Sequence, residues 1–179
     1  MEKKWTTTIS SRNSADAGPR VISPKALPTL QVRNSLTTIL KSSKVLETPP
    51  VDPKTANNHF LTRLAVETDP SDVYTDMQNG ETGFIVLDAR TTESYAKGHV
   101  PGAVSFPYRK IDANTAHTLP KDKVIVTYCD GVFCNASTKA AARLTSLGFR
   151  VKEMLNGMAG WREEGYSVET GLGHVKIEK

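Results

Sequence analysis

The stretch that decides the fold reads VIVTYCDGVFCNASTKAAARL and covers residues 124–144. Its first five residues, Val124–Tyr128, are β-branched or apolar, which predicts a strand buried on both faces. A loop follows and leads into a helix predicted over 137–147, with Ala140 and Leu144 on its inner face. The stretch therefore predicts one strand–loop–helix unit of an α/β domain.

The same alternation of helices and strands continues on both sides of this unit. Helical spacing of apolar residues, N-caps and glycine stops predict helices near residues 60–65, 70–78 and 157–164. Short apolar runs predict strands over 84–87, 104–106 and 151–155. We therefore expect an α/β fold with a central, mostly parallel sheet flanked by helices, in a domain over residues 57–170 that leaves 171–179 as a C-terminal tail.

Residues 1–50 differ in composition from this domain. They contain eight Lys or Arg, three acidic residues, 14 Ser or Thr and five prolines, with little apolar periodicity. Such a segment buries too little apolar surface to offset its ordering entropy, which predicts a disordered N-terminal extension. A basic segment rich in Ser and Thr is also typical of organellar transit peptides, so targeting to an organelle is the second interpretation.

Composition excludes several classes of function. From residue 51 onward 15 basic residues face 16 acidic ones, so the domain has no basic footprint for nucleic acid. No apolar run approaches the roughly 18 residues that a membrane span needs. The two cysteines do not form a disulfide framework, and with the four histidines they show no zinc spacing, so we expect no metal and a reducing, cytoplasmic location.

The most informative chemical group is Cys129, which directly follows the strand Val124–Tyr128. In open α/β sheets the ligand crevice lies beyond the carboxyl ends of the strands. A loop that leads into a helix points backbone N–H groups at one place, and this would lower the pKa of a thiol there below about 8.5. Cys129 is then a nucleophilic thiolate at neutral pH. The alternative is an inert cysteine of the core.

Four segments carry a resemblance to a known family. YAKGHVPGAVSF at 95–106 resembles the rhodanese signature, and LDAR at 87–90 resembles the family's preceding Asp-x-Arg element. VTYC at 126–129 resembles the active-site strand and nucleophile, and residues 151–166 are similar to the closing segment of single-domain members. The four segments follow one another in the family's order between residues 87 and 166. It implies a rhodanese-like three-layer fold and a sulfurtransferase without a cofactor.

The resemblance also implies a mechanism. Cys129 would take a sulfane sulfur from a small donor, thiosulfate or a persulfide, and pass it to a thiol-type acceptor, with a protein persulfide as a further candidate donor. The donor would be held by loop backbone amides and by neighbouring side chains. These substrate-binding candidates are Asp130, Gly131, Val132, Phe133, Cys134, Asn135 and Lys139.

Two departures from the family pattern concern this loop. It is a residue or two longer than in the usual thiosulfate-using members, which predicts a wider pocket, and it lacks the basic residue that many of them place there. The family also includes phosphatases, but these have an arginine six positions after the nucleophile. Asn135 stands at that position in this sequence, so bidentate binding of a phosphoryl group is excluded.

The second cysteine and three charged residues leave alternatives open. Cys134 is either a free loop thiol, or a resolving thiol that attacks the Cys129 persulfide, or the main carrier. Asp88, Arg90 and Glu93 follow a strand end, where an Arg90 ion pair would support the loops.

His99 is expected to be structural, and Trp161 and Tyr166 are expected to pack in the core or at its rim. Two other functions remain. The first is a non-catalytic rhodanese-like binding or regulatory module. The second is a thiol redox switch formed by Cys129 and Cys134.

Overall fold

The fold was examined in a computed structural model, which describes residues 43–172. The predictions for the N-terminal extension therefore lie outside the described residues up to position 42, and those for the C-terminal tail lie outside them from position 173. The chain divides into two units after Pro50. Of the first unit the structure describes residues 43–50, which form a turn and bends. All the helices and strands described below belong to the second unit.

The first helix, α1, spans Pro53–Val66. Asp52 caps it by accepting from the backbone N–H groups of Lys54 and Thr55, and a proline at the first helical position is already set for the helix. The apolar spacing predicted a helix here, and the structure contains it. Its apolar side chains nevertheless stay open to solvent within the described part of the chain, with Phe60 56% and Leu64 68% exposed.

A parallel sheet of five strands forms the centre of the domain. The strands are β1 (Glu67–Thr68), β2 (Phe84–Asp88), β3 (Val104–Ser105), β4 (Val124–Tyr128) and β5 (Arg150–Met154). Their order in the sheet is β1-β5-β4-β2-β3, and every pairing is parallel. This confirms the predicted α/β fold with a parallel central sheet, and β4 is its middle strand, as its apolar sequence indicates.

Three more helices connect strands, and a fourth follows the last strand. They are α2 (Pro70–Gln78), α3 (Thr92–Lys97), α4 (Ala136–Ser146) and α5 (Gly157–Glu163), with short 3-10 turns at Tyr108–Lys110 and Ala116–Thr118. Asp69 caps α2 by accepting from the N–H of Asp72, as the sequence predicts. The strand and helix bounds predicted within the domain agree with the observed bounds to within about two residues, a difference that is ordinary for element ends. The exception is α1, which is longer than predicted.

Two apolar clusters, one on each face of the sheet, form the core. The α4 cluster includes Leu87, Ile125, Cys129, Ala140 and Leu144, and Cys129 thus belongs to the core of the domain. The opposite cluster joins α2, α3 and α5 to the sheet through side chains that include Val86, Val126, Tyr128, Met158 and Trp161. Each large apolar side chain that is fully buried contributes about 1.5–3 kcal/mol to folding, so the two clusters hold the three layers together.

The strand register brings the candidate residues to one edge of the sheet. Asp88 pairs with Tyr128 at the carboxyl ends of β2 and β4, and the N–H of Ala89 donates to the carbonyl of Tyr128 at 3.0 Å. On the other side of β4, Thr127 pairs with Glu153 of β5. The residue after Tyr128 is Cys129, so it lies between the ends of β2 and β5.

Candidate active site

The backbone of Cys129 is held by the beginning of α5. The N–H of Met158 donates to the carbonyl of Cys129 at 2.9 Å, and the N–H of Ala159 donates to that of Asp130 at 2.8 Å. Gly157 makes this approach possible, because its φ of 41° is in the left-handed region and a Cβ there would lie 2.1 Å from the Cys129 carbonyl oxygen. The end of β4 and the first turn of α5 therefore fix the position of the candidate nucleophile.

The sulfur atom of Cys129 is enclosed by the loop and by α4. The residue is only 3% exposed. Its Sγ lies 3.0 Å from the carbonyl oxygen of Cys134, 3.1 Å from Oγ of Ser137 and 3.9 Å from the carbonyl oxygen of Gly131. A thiol can donate its single proton to one of these oxygens at a time, so the resting group is well placed as a neutral thiol.

The predicted lowering of the Cys129 pKa is wrong. Burial raises the pKa of this thiol because the thiolate loses hydration, and the Cys134 side chain raises it further. The hydroxyl and amide of Ser137 and the backbone of Gly131 act in the opposite direction but do not reverse the result. Part of the stabilisation of the thiolate by backbone amides that the sequence predicts is therefore present. The depth at which the Cys129 sulfur is buried could not be inferred from the loop sequence.

The loop after Cys129 lines an open cavity of about 410 Å³. This volume falls within the range of pockets that hold small organic ligands. Five of the predicted substrate-binding residues border it, together with two residues from α5 and its N-cap: Asp130, Gly131, Val132, Phe133, Cys134, Asn156 and Ala159. The side chains of Val132 and Phe133 are 74% and 104% exposed, so the loop tip presents apolar surface to solvent.

The other two predicted substrate-binding residues lie elsewhere. Asn135 is the N-cap residue of α4 and is exposed, and its side chain makes no capping hydrogen bond. The ammonium group of Lys139 lies 5.4 Å from the centre of the Tyr108 ring, where the guanidinium groups of Arg109 and Arg143 also stand. Lys139 therefore belongs to a group of cations around Tyr108.

Arg90 forms the ion pair that the sequence predicts. Its Nη2 lies 2.6 Å from Oδ2 of Asp88 and 2.7 Å from the carbonyl oxygen of Gly98, while its Nη1 lies 2.8 Å from Oδ1 of Asp130. Burial disfavours the guanidinium charge, but Asp88 and Asp130 more than compensate and raise the pKa of Arg90. Arg90 thus ties the β2 end to the first residue after the candidate nucleophile. The third residue of that prediction, Glu93, is exposed in the first turn of α3.

Tyr128 joins the same buried network, a role that sequence reasoning did not predict. Its hydroxyl donates to Oδ2 of Asp88 at 2.7 Å and accepts from the N–H of Val100 at 3.1 Å. Burial, together with the neighbouring Asp88 carboxylate, raises the pKa of Tyr128 far above its usual value. Tyr128 is therefore a neutral bridge between β2 and the segment after α3.

His99 has the contacts of a structural residue. It is 1% exposed, its ring stacks on that of Tyr95 at 3.6 Å between centroids, and its Nδ1 is 2.9 Å from the Tyr95 carbonyl oxygen. Its Nε2 lies 3.6 Å from a carboxylate oxygen of Glu169. Trp161 is fully buried, and its indole N–H donates to the carbonyl of Ser167 at 2.8 Å.

Ser137 and Glu153 extend the surroundings of Cys129, and sequence reasoning missed both. Oγ of Ser137 is 2.6 Å from Oε1 of Glu153, and the hydroxyl of Thr138 donates to the same oxygen at 2.9 Å. The available signal was a carboxylate in the middle of a predicted inner strand, where an apolar residue is expected. Within residues 43–172, no three or more His, Cys, Asp or Glu side chains are grouped so that they could hold a metal ion.

Comparison with protein-family models identifies residues 69–164 as a rhodanese-like domain. That match covers more than half of the 179 residues. The chain belongs to the rhodanese-like family. The four segments that resembled the family, from residue 87 to residue 166, lie within the matched range except for the last two residues.

Relatives of this rhodanese-like chain include a transcriptional regulator and a sulfurtransferase. It is 35% identical over 101 residues to the HTH-type transcriptional regulator Rv0324 of Mycobacterium tuberculosis, a match that covers 55% of this chain and 44% of the regulator. It is 30% identical over 96 residues to thiosulfate sulfurtransferase 16, chloroplastic, of Arabidopsis thaliana, covering 46% of this chain and 78% of that protein. The chain thus spans less than half of the regulator and most of the sulfurtransferase.

A solved structure supports the fold. The BH2092 protein of Bacillus halodurans superposes with a TM-score of 0.65 at 42% sequence identity, over 71% of this chain and 95% of that one. In this rhodanese-like chain, across the part that the structure describes, no helix has the length and apolar character to span a membrane.

Proposed function

We propose that this protein is a sulfurtransferase that carries a sulfane sulfur as a persulfide on Cys129. In the first step the Cys129 thiolate attacks the outer sulfur of thiosulfate or of a persulfide, the S–S bond of the donor breaks, and sulfite or a thiolate leaves. In the second step an acceptor thiolate attacks the terminal sulfur and the Cys129 thiolate leaves. Neither step needs an external oxidant, because the sulfane sulfur moves without net electron gain or loss.

The observation that carries the proposal is the position of Cys129. It directly follows the middle strand of a rhodanese-like domain, at the edge where ligands of open α/β sheets bind. The backbone of Gly131 and the amide and hydroxyl of Ser137 favour the charged form of the sulfur, which suits them to a persulfide as well as to a thiolate. Similarity to a plant thiosulfate sulfurtransferase supports the same assignment.

The bulkier of the two donor classes fits the loop better. Asp130 already uses the nearest guanidinium, that of Arg90, and both residues beyond Gly131 are exposed and apolar. A small dianion such as thiosulfate gains little from this rim, whereas an organic or protein persulfide can bury apolar surface on it. We therefore propose a persulfide as the preferred donor and a thiol as acceptor. Two free thiols fit a reducing, cytoplasmic setting, although the plant relative bears a chloroplast designation.

The test is the intact mass of the full chain after brief exposure to thiosulfate, and separately to a low-molecular-weight persulfide, without reductant. Wild type, Cys129→Ser and Cys134→Ser are compared side by side. The expected result is a gain of one sulfur atom that requires Cys129 and does not require Cys134. Sulfur gain by the Cys129→Ser variant equal to that of wild type would contradict the assignment.

The same experiment separates the two other functions. Loss of two hydrogens without sulfur gain in wild type, absent from both serine variants, would indicate a Cys129–Cys134 redox switch. The observation that favours it is the 3.0 Å contact between Sγ of Cys129 and the carbonyl oxygen of Cys134, which brings the two residues together. No change in mass with either donor would favour a binding or regulatory module. The match to a transcriptional regulator is consistent with that last function.

A further inference from the structure

Three side chains form a continuous hydrogen-bonded chain from the candidate nucleophile towards the β1 edge of the sheet. Sγ of Cys129 lies 3.1 Å from Oγ of Ser137, and that Oγ lies 2.6 Å from Oε1 of Glu153. Cys129 and Ser137 are buried, at 3% and 2% exposure, while Glu153 is partly open to solvent. The chain therefore connects a buried thiol to a carboxylate that can exchange protons with water.

The proton positions in this chain follow from the acceptors. A carboxylate can only accept, so at 2.6 Å the single proton of Ser137 points to Glu153. The lone pairs of Ser137 then face Cys129, so the thiol can donate its proton either to Ser137 or to the carbonyl oxygen of Cys134, which lies 3.0 Å from the sulfur. Once the sulfur is charged, the hydroxyl of Ser137 can turn to donate to it, and this hydrogen bond favours the thiolate against the cost of burial.

We propose that Ser137 and Glu153 are the route by which the Cys129 thiol loses its proton before it attacks a sulfur donor. The proposal deepens the function given above and rests on it. Ser137 passes its own proton to Glu153 and takes the proton of Cys129, and the electron pair of the S–H bond stays on the sulfur. The products are a Cys129 thiolate, a Ser137 hydroxyl that now donates to that thiolate, and a neutral Glu153 carboxyl that can release its proton to water.

The sheet and α4 position the two residues for this exchange. Glu153 lies opposite Thr127 in the register of β5 with β4, and the hydroxyl of Thr127 donates to the carbonyl of Ser137 at 3.3 Å. Ser137 lies in the first turn of α4. The hydroxyl of Thr138 donates to the same Oε1 at 2.9 Å, so the carboxylate is held by two neighbouring hydroxyl groups.

Other charged or titratable groups surround this chain. Glu67 of β1 pairs with Glu153 in register, and its carboxylate is engaged by Arg63 at 2.8 Å. Lys152 directs its ammonium to the carbonyl of Leu64 at 2.9 Å. On the loop side, the carbonyl oxygen of Cys134 lies 3.0 Å from Sγ of Cys129, and Asp130 pairs with Arg90. Glu153 differs from these groups because a single hydroxyl, that of Ser137, joins it to Cys129.

Glu153 acts through Ser137 and is a positioning residue, so its test needs a readout that packing alone does not change. The readout is the pH dependence of alkylation of Cys129 by iodoacetamide, followed by intact mass in the full chain. Cys134→Ser serves as the parent, because the chain has two cysteines and Cys129 is then the single thiol. Glu153→Gln keeps the shape of the side chain and can still accept from Ser137, but it cannot take up a proton.

The expected result is a shift of the alkylation profile to higher pH in Glu153→Gln and in Ser137→Ala, with the rate at pH 7 lowered about tenfold, the change that one pKa unit produces. Glu67→Gln is the matched control, because it removes the neighbouring carboxylate of β1, which is engaged by Arg63, and its profile should stay within about twofold of the parent. Urea unfolding midpoints show that the variants compared are folded.

Two results would overturn the proposal. The first is a Glu153→Gln profile that superposes on the parent or moves to lower pH, the direction that loss of a nearby negative charge alone would produce, and the second is an equal shift in Glu153→Gln and Glu67→Gln. Alkylation needs no sulfur donor, so the outcome is independent of sulfur transfer. A parent that is alkylated with the expected shifts but gains no sulfur would leave the proton route in place and remove the proposed function.

Discussion

Gly157 lies directly against the backbone of Cys129, so that a Cβ atom at Gly157 would stand 2.1 Å from the Cys129 carbonyl oxygen and 2.8 Å from its carbonyl carbon. Both elements are fixed, since β4 is the middle strand and α5 carries the buried Trp161. The position of the candidate nucleophile therefore depends on the absence of a side chain 28 residues further along the chain.

Gly157→Ala should destabilise the domain by at least about 3 kcal/mol, because a methyl group would overlap backbone atoms and φ is positive. The measurement is the free energy of unfolding in urea. The matched control is Gly165→Ala, where φ is 74° but a Cβ would meet no described atom within 4 Å. That control should cost about 1–2 kcal/mol. Equal losses in the two variants would show that the contact with Cys129 is unimportant.

Arg90→Ala should destabilise the domain by about 3–5 kcal/mol, because it leaves the fully buried Asp88 carboxylate without its cation. Arg63→Ala is the control, since the Arg63–Glu67 pair is an exposed helix pair and should contribute no more than about 1 kcal/mol. Thermal unfolding of the two variants at one pH makes the comparison. Similar unfolding temperatures would mean that the Arg90 network contributes no more than a surface ion pair.

The fold was predictable from sequence, while the surroundings of Cys129 were predictable only in part. Val124–Tyr128 predicted a central strand because β-branched residues without polar alternation need burial on both faces. The contact of Ser137 with Glu153 depends on the register of β5 against β4 and on the rotation of α4, which local sequence does not specify. The pKa of Cys129 was predicted in the wrong direction because a loop sequence does not reveal how deeply the sulfur is buried.

Burial of the Cys129 thiol has a consequence for stability at alkaline pH. A group whose pKa is raised in the folded state keeps its proton more tightly there than in the unfolded chain. Its stabilisation is complete below the ordinary thiol pKa of about 8.5 and is lost as the pH rises through the folded value. The free energy of unfolding of wild type should therefore fall between about pH 8 and 10 more steeply than that of Cys129→Ser. Parallel curves for the two proteins would rule out a raised pKa at this thiol.

The exposed apolar tip of the loop should distinguish donors by size. The side chain of Phe133 is fully exposed and borders the cavity that the loop after Cys129 lines, so its loss should change stability by no more than about 0.5 kcal/mol. We expect Phe133→Ser to load sulfur from thiosulfate at the wild-type rate, within about twofold. Loading from a bulky aromatic persulfide should slow about tenfold, the effect of about 1.4 kcal/mol of lost apolar contact.

The measurement is the initial rate of sulfur gain on Cys129 with each donor, followed by intact mass. Leu61→Ser is the matched control, because this leucine is also exposed but lies on α1, away from the cavity. It should leave both rates unchanged. A Phe133→Ser variant that loses rate equally with both donors would instead indicate that the phenyl group supports the loop, since a change in loop conformation would affect small and large donors alike.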